Sequence, residues 1–206
     1  MGVERITANG LLAGGVHTPV DCIVYASGFE VGTRHARRAV FDLVGRGGTR
    51  LSAHRAGGIR SLHGMFVHVF PNAFFVQPTQ GANLISNVPH NLSEAGRTIA
   101  QVISHALSQG QCTVEVTREA EDARIALRLS GPGRMIGGQD CTPGYYNNEG
   151  QDTGLAGQLA VGHPAGPAAY FKYLDGWRSD GRFDGLEFGQ PRRAGTASGG
   201  SATGWA

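Results

Sequence analysis

Cysteine is scarce, charge is nearly balanced and no apolar run is long, and each shortage removes a class of protein. Three cysteines, Cys22, Cys112 and Cys141, stand far apart and in no CxxC spacing. Neither a disulfide framework nor a zinc site is indicated, and a reducing cytoplasm fits best. No stretch approaches eighteen consecutive apolar residues and the first ten residues hold no apolar signal core, so neither membrane insertion nor export is expected. The formal charge is +2 over 206 residues. Without a basic stripe, that mild excess gives no reason to expect nucleic acid. The pairs Arg37-Arg38 and Arg192-Arg193 read as solvated surface.

Catalytic signatures are missing as well. There is no GxxxxGK[ST] phosphate loop, no GxSxG elbow and no GxGxxG; the nearest glycine cluster, "GPGRMIGG" at 131–138, has the spacing GxGxxxG with no apolar strand leading into it. His63 and His68 are five apart with no carboxylate beside them, a poor metal spacing, so no metal site is expected. His90, in "NVPHN", reads as a capping or loop residue.

Glycine is abundant, with 33 residues. It concentrates in loops and in the closing "GQPRRAGTASGGSATGWA", which reads as a disordered tail over 189–206. Between the loops the pattern is α/β. "VERIT", the turn candidate Asn9-Gly10 and "LLAGG" suggest a hairpin feeding "DCIVYASGF", whose unbroken apolar run from Cys22 to Ala26 suits a strand covered on both faces. Phe74-Phe75-Val76 reads as a short strand. Leu92, Ala95, Ile99, Val102, Ile103, Ala106 and Leu107 keep helical spacing over about 91–109, with Gly110 where a terminating glycine belongs. A second helix is expected from Arg118 to Leu129 with Thr117 as its N-cap, loop over 130–166, and a third helix opening at Pro167.

Three segments in order carry a family resemblance. "DCIVYASGFEVGT" resembles the D-x-hydrophobic-hydrophobic-x-A-[TS]-G-[FY] segment of flavin-containing monooxygenases, and "FPNAFFVQPTQGANLISNVPHN" resembles their later strand and flavin-side loop. "CTPGYYNNEGQ" with "GHPAGPAAYFKYLDGWRSDGRFDGLEF" is similar to the C-terminal end of Baeyer–Villiger monooxygenases. Departures are Gln77-Pro78 for a common Gly-Pro, Ser27 for Thr, and Val69 where glycine is frequent.

The resemblance implies the C-terminal part of a discontinuous flavoprotein with two dinucleotide-binding domains, an incomplete sheet, and both glycine fingerprints and the catalytic arginine absent from this chain. It divides the chain into 1–29, the end of an NADPH-domain-like segment with its return strand; 30–129, the later part of an FAD-domain-like region; 130–188, a loop-rich C-terminal cap; and the tail. The implied activity is insertion of one oxygen atom of O2 into a ketone at the expense of NADPH, with FAD and NADPH as cofactors. Little or no turnover is expected from this chain alone. The alternative is a non-catalytic remnant, or a module that associates with a separate N-terminal half. By the same resemblance Gly28, Gly81, Ala82, Asn83, Leu84, Asn87 and Val88 would lie against the flavin, and Tyr145 and Tyr146 would form a lid over nicotinamide and substrate. For Gly81 an ordinary turn, and for the tyrosines ordinary packing, are the competing readings.

Overall fold

The computed structural model describes residues 2–25, 41–77, 80–81, 87–131 and 154–190. The chain divides into two compact units, Met1–Val31 and Gly32–Ala206.

The first unit is a three-stranded antiparallel meander of β1 (Val3–Thr7), β2 (Gly10–Ala13) and β3 (Val16–Pro19). Leu12 pairs with Arg5 on one side and His17 on the other. The β2–β3 turn is Gly14-Gly15, with φ of 57° and 76°. Two consecutive positive φ values are what a tight turn matching strand twist requires, and glycine supplies them without a Cβ clash. Gly10 is fixed for another reason: a Cβ there would sit 2.2 Å from the carbonyl oxygen of Thr18.

The apolar run after this meander departs from expectation. Residues 22–25 form no strand, and Val24 and Tyr25 are 82% and 75% exposed. A strand needs a neighbouring strand for its backbone hydrogen bonds. Among the described residues none pairs with this segment.

The second unit is built around α2 (Val88–Ser108), which starts a turn earlier than apolar periodicity alone marks. Before it come a 3-10 turn (Arg46–Gly48) and the one-turn α1 (Leu51–His54). Ala95, Ile99, Val102 and Ala106 of α2 are buried, whereas Ile103 and Leu107 stay 37% and 64% exposed. Those two line a hollow of about 260 Å³ with Asn72, Phe74 and Cys112. The helix ends as expected, with Gly110 at φ 66° and the Gln111 amide donating back to Ala106.

Next come β4 (Thr113–Val116) and α3 (Arg118–Leu129), whose N-cap Thr117 accepts from the Ala120 amide at 3.1 Å. The segment expected to be loop contains a short helix, α4 (Gly154–Ala160). Then α5 (Gly166–Asp180) carries Pro167 in its first turn and leads to β5 (Leu186–Gly189), antiparallel to β4. This last strand takes in Gly189, which composition alone assigns to the tail.

The core packs α2 and β4 against Tyr170, Leu174 and Trp177 of α5, Phe183, and Leu62, Met65 and Phe66. The last three come from a loop rather than a strand. Phe66 makes only isolated bridges, to Leu62 and to Phe74, and 74–76 is not a strand. His63 and Val69 in this stretch have positive φ (55° and 63°), which breaks strand geometry. A smaller apolar cluster gathers Leu51, Val67 and Phe70. Both units therefore carry short, incomplete sheets.

Candidate functional site

Of the residues that the resemblance sets against a cofactor, Gly81, Asn87 and Val88 are described; Gly28, Ala82, Asn83, Leu84, Tyr145 and Tyr146 lie outside the described residues, as does most of "GPGRMIGG".

Gly81 is held by its neighbours. The preceding residue, Gln80, is 1% exposed and has φ 62°. Its amide accepts from the Ser61 hydroxyl and donates to the carbonyls of Ile59 and Leu159, the latter at 2.8 Å. The Gly81 carbonyl accepts from the His163 amide at 2.8 Å. A Cβ on Gly81 would meet the Tyr170 hydroxyl at 3.3 Å and its ring at 3.4 Å. The missing side chain is thus used in packing against Tyr170.

Asn87 is the N-cap of α2, its Oδ1 accepting from the His90 amide at 3.0 Å. His90 therefore does bond locally, and its ring also stacks edge-on with Phe171, centroids 4.8 Å apart. Pro89 has no N–H and the cap takes that of His90, so Val88 supplies the first-turn amide outside the cap. Such an amide at the positive end of a 21-residue helix suits a carbonyl or other electron-rich edge. That donor fits a flavin ring, and Asn87 and Val88 are the described residues that could hold one.

Beside Gly81 lies a polar cluster that periodicity did not flag. Glu121, Arg124, Ile125 and Arg128 share one face of α3, and that face is buried. The spacing i, i+3, i+4, i+7 is that of one helix face, and charged residues on such a face usually meet solvent. Glu121 accepts from the His68 amide at 3.0 Å and pairs with Arg60 at 3.2 Å and His54 at 3.3 Å. Burial works to raise its pKa; the hydrogen bonds from His54, the His68 amide and Arg60 outweigh it and leave the carboxyl below its usual range.

His63 lies against Trp177 and Tyr173, with ring centroids 4.7 and 5.3 Å away. Neither ring nitrogen has a hydrogen-bond partner among the described residues. Burial first, then the charges of Arg124 and His163, hold its pKa well below 6.5. His68 is instead bonded through Nδ1 to the Val116 carbonyl at 2.7 Å. Among the described residues no group of three or more His, Cys, Asp or Glu is placed to hold a metal ion.

Comparison with known proteins shows what the chain is similar to. No family model matches the chain. It is 38% identical over 190 residues to pentalenolactone D synthase of Streptomyces arenae, covering 90% of this chain and 32% of that protein. Baeyer–Villiger monooxygenase 4 of Dietzia sp. strain D5 is 34% identical over 194 residues, covering 94% of this chain and 31% of the relative. The FAD-binding monooxygenase hmp7 of Hypomyces subiculosus is 35% identical, covering 90% and 31%. Among solved structures, the polycyclic ketone monooxygenase of Thermothelomyces thermophila superposes with a TM-score of 0.78 at 29% identity, over 92% of this chain and 31% of that one. A steroid monooxygenase bound to NADP shares the fold, with a TM-score of 0.69 at 19% identity over 92% and 34%.

By sequence and by fold, then, this chain matches part of a flavoprotein monooxygenase of Baeyer–Villiger type. It spans about a third of the length of the curated relatives it matches. The α/β character and the incomplete sheets agree with that share.

Proposed function

We propose that the chain is the C-terminal part of an FAD- and NADPH-dependent monooxygenase that inserts one oxygen atom of O2 into a ketone, next to the carbonyl carbon. The observation that carries this is the 38% identity to pentalenolactone D synthase over nine-tenths of the chain. When bound, the flavin supplies the redox chemistry between NADPH and O2. The chain's own work is binding, orientation and exclusion of water. Asn87 fixes the start of α2, and the Val88 amide donates to the cofactor's polar edge. Gly81, pinned between His163 and Tyr170, precedes Ala82, Asn83 and Leu84, which by resemblance would contact the flavin. By the same resemblance Gly28 would serve the cofactor, and Tyr145 and Tyr146 would form the lid over nicotinamide and substrate. Residues 1–29, 30–129 and 130–188 serve as return segment, later FAD-domain part and cap, in the cytoplasm.

One observation favours a second reading, a module that pairs with a separately made N-terminal half. Val24 and Tyr25 are exposed at the end of an apolar run that no described strand covers.

A chimera tests the first reading. This chain is exchanged for the matching third of the Dietzia enzyme, and flavin content and ketone-dependent NADPH oxidation are measured. Retained FAD and turnover support it. A folded chimera without flavin contradicts it.

A further inference from the structure

Several arginines of the second unit, buried or half-buried, have a carboxylate partner. Arg178 pairs with Glu94 at 2.7 Å and also with Asp175, Arg60 with Glu121, and Arg46 with Glu115 at 2.6 Å. Like the half-buried Arg55, which sits over the Phe75 ring, Arg124 and Arg128 have none among the described residues. They are 4% and 3% exposed, one turn apart on α3, and no carboxylate faces them among the described residues. Nε and Nη2 of Arg124, and Nε and Nη1 of Arg128, are buried with no hydrogen-bond partner among the described residues. Arg128 uses only Nη2, on the Gln158 carbonyl at 3.3 Å.

The surroundings repeat the same sign. Arg124 lies 5.7 and 5.9 Å from the ring centroids of Tyr173 and Tyr170. His63, with both nitrogens unbonded, packs on Tyr173, and the half-buried His163 ring is 6.2 Å from that of Tyr170. Each of these bases is pushed down: by burial first, then by Arg124 for Arg128, by Arg124 and His163 for His63, and by Arg124 and Arg128 for His163. Two buried guanidiniums without an anion are costly, because charge taken from water must be repaid by a counter-charge. The unused atoms also have a shape. On Arg124 the free Nε and Nη2 form one edge of the guanidinium, the fork that donates to two oxygens of a phosphate or carboxylate at once.

We propose that Arg124 and Arg128, with His63 and His163 at the margin, bind the oxyanion group of a small molecule, a phosphate or a carboxylate. This rests on the unpartnered donors and not on the flavin reading, so either can fail without the other.

The test is equilibrium dialysis of the full chain against radiolabelled inorganic phosphate and, separately, labelled acetate, at fixed ionic strength in chloride. Saturable binding of phosphate, or of acetate in its place, is the expected result and identifies which source of oxyanion the site takes. Arg124→Lys keeps the charge and loses the fork, so it should weaken binding about tenfold or more. Arg182→Gln, at an exposed arginine paired with Asp180, should leave it unchanged. Far-UV circular dichroism verifies that the lysine variant keeps its helices. Binding of neither anion above the chloride background, or binding equally strong in Arg124→Lys and Arg128→Gln, would overturn the proposal.

Discussion

The Tyr170 hydroxyl donates to the backbone carbonyl of His63 at 2.9 Å, joining residues 107 apart in sequence. This bond ties α5 to the loop that carries Leu62, Met65 and Phe66 into the core. Burial also pushes the phenol up to about 12, so it stays protonated as a donor at neutral pH. Tyr170→Phe keeps the ring and leaves a buried carbonyl unpaired. The expected loss is about 1–3 kcal/mol, read from the urea midpoint at unchanged slope. An unchanged midpoint would mean that the bond contributes nothing net.

Glu121 organises the other side of α3. Removing its charge leaves Arg60 with exposed Asp122 as its carboxylate, and turns one of the two oxygens shared by His54, Arg60 and the His68 amide into a donor. Glu121→Gln should cost several kcal/mol, about 3–5 for breaking a buried pair. Because the folded-state pKa lies below the ordinary 4.5, the stabilisation is present above that value and is lost as pH falls through the folded pKa. Denaturation measured between pH 6 and 3 should therefore show less acid sensitivity in the variant than in the parent chain.

His63 gives a pH dependence in a different window. Its folded-state pKa is depressed, so the unfolded chain takes up the proton first. Stability is complete above the ordinary 6.5 and falls as pH drops from there toward the depressed value, by up to about 1.4 kcal/mol per pH unit. His163 is also lowered and adds in the same direction. His63→Asn removes the titration while keeping a residue tolerant of φ 55°. Unfolding curves from pH 7 to 5 should be flatter for the variant, though its absolute stability is lower.

Val24 and Tyr25 form an exposed apolar pair in a segment with unpaired backbone. Val24→Lys with Tyr25→Ser should reduce self-association of the purified chain, followed by sedimentation velocity over a concentration series. Equal association of parent and variant would assign the stickiness to another surface.

The residues announced the helices better than the sheets. For α2 and α3 the apolar period, Thr117 and Gly110 are local signals that outlast any missing neighbour. Strands depend on partners distant in sequence, so Cys22–Tyr25 and Phe74–Val76 read as strands while the structure leaves them unpaired or singly bridged. The short α4 escaped because glycine at 154 and 157 weakens its helical signal. The family was legible from three ordered segments, and the comparisons agree with it. The buried charged face of α3 was not legible, since Glu121, Arg124 and Arg128 have the composition of a solvated helix; only Arg60, His54 and the tyrosines of α5, brought in from far along the chain, reveal it.

The most direct measurement is made on the purified 206-residue chain: flavin retained after gel filtration with excess FAD, and NADPH oxidation with and without a cyclic ketone. If the chain holds one wall of the flavin site, it elutes colourless and consumes no NADPH in response to ketone. A yellow protein that turns over ketone by itself would contradict that.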